Sequence, residues 1–221
     1  MSLAVETTCV ENETVDLRVD TTSIEIGGGK MFLFVKRLMD ILLSAMGLIF
    51  LFVPMVVIGI MIKTDSKGPA IYSQERLGKN GKPFRIYKFR SMVMDAEANG
   101  PKWADLDDQR CTKLGRVLRK TRLDELPQLY NILVGDMTIV GPRPERACFY
   151  IEFEKNIPGF KNRMAVTPGL TGHAQVNGGY SLGPEEKIVY DMEYIAKRSL
   201  QMDFQCIMKT IRVIFSHEGA R

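Results

Sequence analysis

The sequence predicts an α+β fold, mostly helical, with one small β-hairpin and an apolar helical segment near its start. Three observations carry that prediction. The 22 residues from Ile41 to Ile62 hold no charge. Two short strand-like segments flank a turn cluster between Gly78 and Pro83. Beyond residue 110, apolar side chains recur at i, i+3, i+4 and i+7, the spacing of one helix face.

The apolar run comes first. A straight helix over it would be roughly 33 Å long, about the hydrocarbon thickness of a bilayer. Lys36, Arg37 and Asp40 precede it, and Lys63, Asp65 and Lys67 follow. Basic residues on both flanks give no orientation by charge asymmetry. Pro54 lies inside the run; it removes a helical hydrogen bond and its ring crowds the preceding turn, so a sharp kink is expected there. A spanning helix with a tolerated proline and a helix-break-helix segment that returns to the same face both fit the run.

Residues 70 to 93 read as the hairpin, with Ile71–Gln74 and Phe84–Arg90 as strands. Asn80-Gly81 supplies the left-handed turn backbone. Strand alternation puts Lys88 and Arg90 on one face. Residues 94 to 110 are polar and expected at the surface. Arg110 to Arg122 then carries six bases and no acid, with Leu114, Val117 and Leu118 marking a short basic amphipathic helix. Leu126, Leu129, Tyr130 and Leu133 mark the next helix. Pro127 suits only a first turn and places its start near Asp124, and Gly135 suits its C-terminal cap. A short strand, Met137–Val140, leads into Gly141-Pro142-Arg143-Pro144. A helix over about 145–156, a loop at Pro158-Gly159, a turn-rich stretch 167–172 and helices from about Pro184 and Leu200 complete the chain. On the last helix Leu200, Phe204, Ile207, Ile211 and Phe215 share a stripe that faces either the core or a membrane interface.

Charge and composition narrow the function classes. Four cysteines (Cys9, Cys111, Cys148, Cys206) show no paired spacing, so a reducing compartment is the simplest reading. Two histidines far apart exclude a His-rich metal site and disfavour Ser-His or Cys-His catalysis. Residues 1–29 carry six acids and one base and read as an acidic mobile extension ending in Gly27-Gly28-Gly29. The remaining 192 residues carry 29 bases and 20 acids, a body suited to an anionic partner. No nucleic-acid-binding motif is present, and nucleic acid is not expected as a partner.

The chemistry then falls to carboxylates and bases. Asp124-Glu125 at a helix start serves either as an ordinary cap or as a nucleophile and metal-ligand pair beside a bound phosphate. Prolines 142 and 144 restrict Arg143 to extended backbone, which either makes a rigid turn or presents one guanidinium to phosphate. Lys88, Arg90 and Arg119 are solvated bases unless a phosphate lies near them.

Together these motifs resemble the bacterial sugar transferase family, the small monotopic polyprenyl-phosphate phosphoglycosyl transferases. The resemblance runs from about Phe34 to Phe215. It rests on Lys36-Arg37-Leu38-Met39-Asp40 before the apolar run; Ser73-Gln74-Glu75-Arg76 with FRIYKFRSM from Phe84; Arg122-Leu123-Asp124-Glu125-Leu126-Pro127-Gln128-Leu129; GDMTIVGPRPE from Gly135; and PGLTGHAQVNG from Pro168. It implies that residues 30–221 form one membrane-associated transferase domain, with a re-entrant membrane helix over about 34–63 broken at Pro54, and with amphipathic interfacial helices. The active site would face the cytoplasm at the bacterial inner membrane. Asp124 would attack a UDP-sugar, release UMP and carry the phosphosugar until polyprenyl (undecaprenyl) phosphate takes it, so starting glycoconjugate assembly.

Glu125 would assist, and Mg²⁺ would be required, held by Asp124 and Glu125. Lys88, Arg90, Arg119, Pro142, Arg143, Pro144, Gln175 and Asn177 would bind substrate. The lipid bilayer, downstream glycosyltransferases and a second copy of the chain are the further partners to test. The alternative is a membrane-anchored nucleotide-sugar binding protein without catalysis. Two positions depart from the family's usual residues: His173, where Trp or Leu is common, and Gly179, where Arg is common. The departure at Gly179 bears on the choice of sugar more than on the reaction.

Overall fold

The computed structural model describes residue 17 and residues 19–96, 108–178 and 182–216, with side chains up to residue 213 in the last helix. Residues 1–16, most of the polar stretch 94–110 and Gly179 lie outside the described residues. Among the described residues helices dominate, with two separate two-stranded sheets beside them.

The apolar run is two helices, α1 (Lys30–Phe50) and α2 (Phe52–Asp65), bent by 61°. Among the described residues no single helix is long and apolar enough to cross a membrane, but this bent pair has the length and composition to do so. The break falls at Leu51, three residues before the expected Pro54. Pro54 sits in the first turn of α2, where a missing N–H leaves no hydrogen bond unmade. Its ring excludes the helical turn that would join Phe50 to it, so the chain bends upstream. Apolar side chains stand exposed around this pair, among them Phe34, Ile49, Phe50, Phe52, Val53 and Ile60.

The base of α1 is clamped to the rest of the molecule by its charged residues. Arg37 donates to the carbonyls of Ile132 and Leu133 at 2.7 and 2.8 Å, capping the end of α4 (Gln128–Val134). Asp40, buried, accepts from Thr138 Oγ1 and from the Ile139 amide. Lys36 donates to Asp203 and to the Val140 carbonyl. The motif that opens the apolar run is thus a clasp between that run and the rest of the molecule.

The hairpin is β1 (Ile71–Leu77) against β2 (Pro83–Phe89), antiparallel, with Asn80 at φ 57° in the turn. It runs three residues longer at β1 than the sequence suggests. α3 (Lys113–Lys120) is N-capped by Thr112, whose hydroxyl accepts from the Gly115 amide.

The helix expected from Asp124 begins later. Asp124 and Glu125 lie in a 3-10 turn, Leu123–Glu125, and α4 starts at Gln128 after Pro127. Arg122 enters this turn at φ 58°, a left-handed backbone that breaks the α-helical path. Gly135, at φ 100°, caps α4 as expected. Of the stripe named for this helix, Leu126 and Leu129 pack against core clusters and Leu133 is partly buried, whereas Tyr130 is half exposed; Gln128, Asn131 and Ile132, outside the stripe, are the fully buried residues.

β3 (Thr138–Val140) pairs in parallel with β4 (Gly169–Thr171), inside the stretch expected only to turn. Reciprocal backbone bonds, Gly141 N–H to Thr171 O and Gly169 N–H to Pro142 O, tie the Gly141–Pro144 loop to this strand. A side chain at Gly141 would collide with the Thr167 carbonyl, so glycine is required there by space.

The remaining helices are α5 (Ala147–Asn156), the short α6 (His173–Asn177), α7 (Pro184–Lys197) and α8 (Leu200–Ser216), with a 3-10 segment at Phe160–Ala165. Their core gathers Val140, Ala165, Val166, Tyr194, Ile195 and Cys206. Ile24 joins that core, the Gly27 amide donates to the Ile195 carbonyl, and Arg198 donates to the Gly27 carbonyl. Residues 24–27 of the acidic segment are therefore packed against the body, which differs from the mobile extension expected of them. Apolar Ile24 and Ile26 explain why they dock. The core reading of the α8 stripe is also corrected: Leu200, Phe204 and Ile211 are exposed, and Asp203 and Cys206 are buried instead.

Candidate active site

A cleft of about 560 Å³ opens between the hairpin, α3, the Asp124 turn, the Arg143 loop and the start of α5. Asp124 and Glu125 lie at its floor, each less than a tenth exposed. Lys88, Arg90, Arg119 and Arg143 all line it, so four of the expected bases converge.

Their roles separate. Lys88 Nζ and Arg143 Nη2 both donate to one oxygen of Glu125, at 3.2 and 2.5 Å. β2 carries Lys88 there through the hairpin pairing, and the Gly141–Pro144 loop carries Arg143. Arg119 lines the same cleft and donates to the Cys111 sulfur. Arg90 is buried and is spent on the end of α2: it donates to the carbonyls of Ile62, Ser66 and Lys67 and to the Ser66 hydroxyl. It caps that helix and anchors it to the hairpin. Lys88 and Arg90 share the cleft wall, as alternation requires, but Arg90 is committed to structure.

Pro142 and Pro144 are buried behind Arg143 and do not line the cleft. Gln175 lines an adjoining groove and a small chamber behind Arg143, not the cleft itself. Asn177 is turned away: it donates to the His173 carbonyl and accepts from Lys209. His173 packs edge-on against Tyr190 and lies 3.4 Å from Glu193, apart from the carboxylate pair.

The two carboxylates have opposite electrostatics. Burial would push Glu125 up, but Arg143 and Lys88 outweigh it and hold its carboxyl well below the usual range. Asp124 is pushed up to about 6, chiefly by burial and then by the charge of Glu125. Both cationic hydrogen bonds go to Glu125, so Asp124 keeps its oxygens for another partner.

The sequence reading missed several residues of this cleft. Arg122 lines it from its left-handed backbone position, and Arg146, Arg76 and Lys187 add charge to its walls. Arg163, almost fully buried, pairs with Asp191 at 2.6 Å and donates to the Arg143 carbonyl, so it holds the Arg143 loop from behind. Arg76 and Arg122 lay inside motifs already quoted, and Arg146 stands two residues after Pro144. Lys187 and Arg163 arrive through tertiary folding.

A cleft of converging cations over a buried carboxylate pair, joined to an exposed apolar helix pair, is built for a polyanionic substrate beside a hydrophobic surface. The chain belongs to the bacterial sugar transferase family, whose profile matches residues 31–217. It is 44% identical over 195 residues to a UDP-N-acetylgalactosamine-undecaprenyl-phosphate N-acetylgalactosaminephosphotransferase of Aeromonas hydrophila, covering 86% of this chain and 46% of that one. It is 40% identical over 190 residues to a UDP-glucose:undecaprenyl-phosphate glucose-1-phosphate transferase of Klebsiella pneumoniae, covering 84% and 41%. A protein of the same description from Caulobacter vibrioides is 37% identical over 191 residues, covering 84% and 71%. The chain spans less than half the length of the first two relatives.

Proposed function

We propose that this chain transfers a sugar 1-phosphate from a UDP-sugar to a polyprenyl phosphate such as undecaprenyl phosphate, releasing UMP and starting glycoconjugate assembly. The observation that carries the reading is the asymmetry of the carboxylate pair. Glu125 is neutralised by two cations, while its neighbour Asp124 stays uncommitted at the floor of the cleft.

A carboxylate oxygen of Asp124 attacks the β-phosphorus of the UDP-sugar. The bond from that phosphorus to the bridging oxygen breaks, and UMP leaves with the electron pair. The phosphosugar stays on Asp124 as an acyl phosphate. An oxygen of polyprenyl phosphate then attacks the same phosphorus, frees the carboxylate and gives the polyprenyl diphosphosugar. Arg143, Arg119 and Lys88 spread the phosphate charge during both steps, the main demand of phosphoryl transfer. Glu125 fixes Arg143 and Lys88 at the floor.

Among the described residues no cluster of three acidic, His or Cys side chains could hold a metal alone. One free carboxylate with substrate phosphates is nonetheless a donor set that suits Mg²⁺. The uncommitted Asp124 fits that role, and Glu125, already paired, fits it less well. When bound, the ion would neutralise charge on the transferring phosphoryl group.

The same reading places α1–α2 in the cytoplasmic leaflet of the bacterial inner membrane as a re-entrant segment. The exposed apolar faces of α1, α2 and α8 support it, as does the 61° bend. The relatives differ in the sugar they are named for, so the donor must be measured. The test is UMP release by detergent-solubilised protein from a panel of UDP-sugars, with and without polyprenyl phosphate and Mg²⁺. One donor should give a stoichiometric UMP burst alone and sustained release with carrier. Folded protein that releases no UMP from any donor would leave a nucleotide-sugar binding protein without catalysis.

A further inference from the structure

A second recess joins the cleft. It is a groove of about 210 Å³ walled by Leu126, Leu129, Ile139, Leu170, Val176 and Ile207. Its inner end is formed by Arg122 and Glu125, which also line the catalytic cleft. Its outer end is formed by Ile211 and Val213 of α8. The groove is therefore continuous with the reaction centre at one end and opens beside an exposed apolar helix face at the other.

We propose that this groove holds the isoprenoid units next to the phosphate of the polyprenyl acceptor, an inference that rests on the function proposed above. Three observations fix the occupant. The walls are mainly apolar: the Thr171 and Thr210 hydroxyls are 2.6 Å apart and hydrogen-bond to each other, and Gln175 donates to the Leu170 carbonyl, leaving its side-chain oxygen as a lone acceptor. A nucleotide or sugar, which needs several polar partners, would find few between the two ends. The charge sits at one end: Arg122 is placed at the junction of groove and cleft, so an anionic head beyond it has a cation to meet. The open end lies on α8, whose Phe204, Met208 and Ile211 are exposed and have no core to cover them. An amphiphile with one phosphate and a hydrocarbon tail matches this sequence of cation, apolar wall and hydrophobic surface.

The donor enters by the wider cationic cleft, so the two substrates meet Asp124 from different sides. The released UMP and the arriving carrier need not share one path.

The test uses the full chain in nanodiscs of phosphatidylethanolamine and phosphatidylglycerol. The probe is geranylgeranyl phosphate with a diazirine in the isoprene unit nearest the phosphate. Cross-links should fall in residues 126–129 and 170–176, away from the outer end, and be displaced by undecaprenyl phosphate but not by phosphatidic acid. In parallel, Ile211→Trp, which fills the outer end at a surface position, should raise the carrier KM about tenfold, the loss of roughly two buried CH₂ groups. The carrier-independent UMP burst should be unchanged. Val189→Trp, at an exposed position of α7 outside both recesses, should leave the carrier KM as it was. Cross-links confined to α1 and α2, equal displacement by phosphatidic acid, or an unmoved KM in Ile211→Trp would each overturn the groove while a normal burst leaves the function standing. Absence of any burst in the wild-type chain would instead remove the function on which the groove rests.

Discussion

The base of α1 and the floor of the cleft solve the same problem in different ways. Each pairs a cation with a poorly exposed carboxylate. At the base of α1, Lys36 meets Asp203 at 2.6 Å, and Tyr194 donates to the other oxygen of Asp203 at 2.7 Å. Lys36 also donates to the Val140 carbonyl, which lies 3.0 Å from the Tyr194 hydroxyl oxygen. Each polar group there has its partner, and the pair is closed. At the cleft floor Lys88 and Arg143, each about twice as exposed as Lys36 and facing open space, converge on Glu125, and Asp124 is left over. A closed pair fixes geometry; an open one with a spare carboxylate is poised for a ligand.

The largest effect should come from the spare carboxylate. Asp124→Asn keeps the shape and removes the charge. It should lower the UMP burst by at least about 10³-fold, with membrane association intact. The same change should stabilise the protein at neutral pH, and the sign follows from linkage. A carboxyl raised in the folded state has its stability at low pH and loses it as pH climbs from the unfolded value through about 6. A melting temperature that falls at pH 7 would mean Asp124 is a structural ion and would erase the contrast.

Lys36→Met should do the reverse. It strands Asp203 in a buried site, at a cost of about 3–5 kcal/mol in denaturant titration. Adding Asp203→Leu should recover much of that loss, because no charge then remains to be desolvated. The burst per folded molecule should stay near wild type in both. A lost burst with unchanged stability would make the clasp part of the reaction site.

The smallest effect concerns pH. If Asp124 attacks as its anion, the burst should fall about tenfold per pH unit below about 6. Glu125, held low by Arg143 and Lys88, stays ionised there, so one proton is lost, not two. A limb of slope two would mean that the pair titrates together and that the cations protect Glu125 less than their geometry implies.

Much of this contrast was legible in the sequence and some was not, for identifiable reasons. The hairpin, α5, α7 and the Gly135 cap follow from local pattern and turn chemistry. The Asp124-Glu125 and Arg143 motifs brought the site together because order along the chain carried them. β4 was missed because three residues among Pro and Gly show no alternation. The α8 stripe could not be oriented between core and membrane interface because periodicity gives a face but not its surroundings; the buried face holds Asp203, which Lys36 and Tyr194 together satisfy. Arg90 looked like Lys88 in sequence. What separates them is that α2 ends with unpaired carbonyls beside Arg90, a tertiary fact.

Arg122 shows where the demands of folding and of chemistry part. Its backbone takes the left-handed form at φ 58°, which glycine adopts freely and a side-chain-bearing residue adopts at a cost of roughly 1 kcal/mol or more. A glycine there would suit the turn and relax it. It would also delete the cation that borders cleft and groove alike. Position 122 is thus a point of conflict, where the chain accepts a less comfortable backbone in order to keep a charge. Selection for thermal robustness alone would drift toward glycine there and leave a sturdier protein with a weaker grip on phosphate.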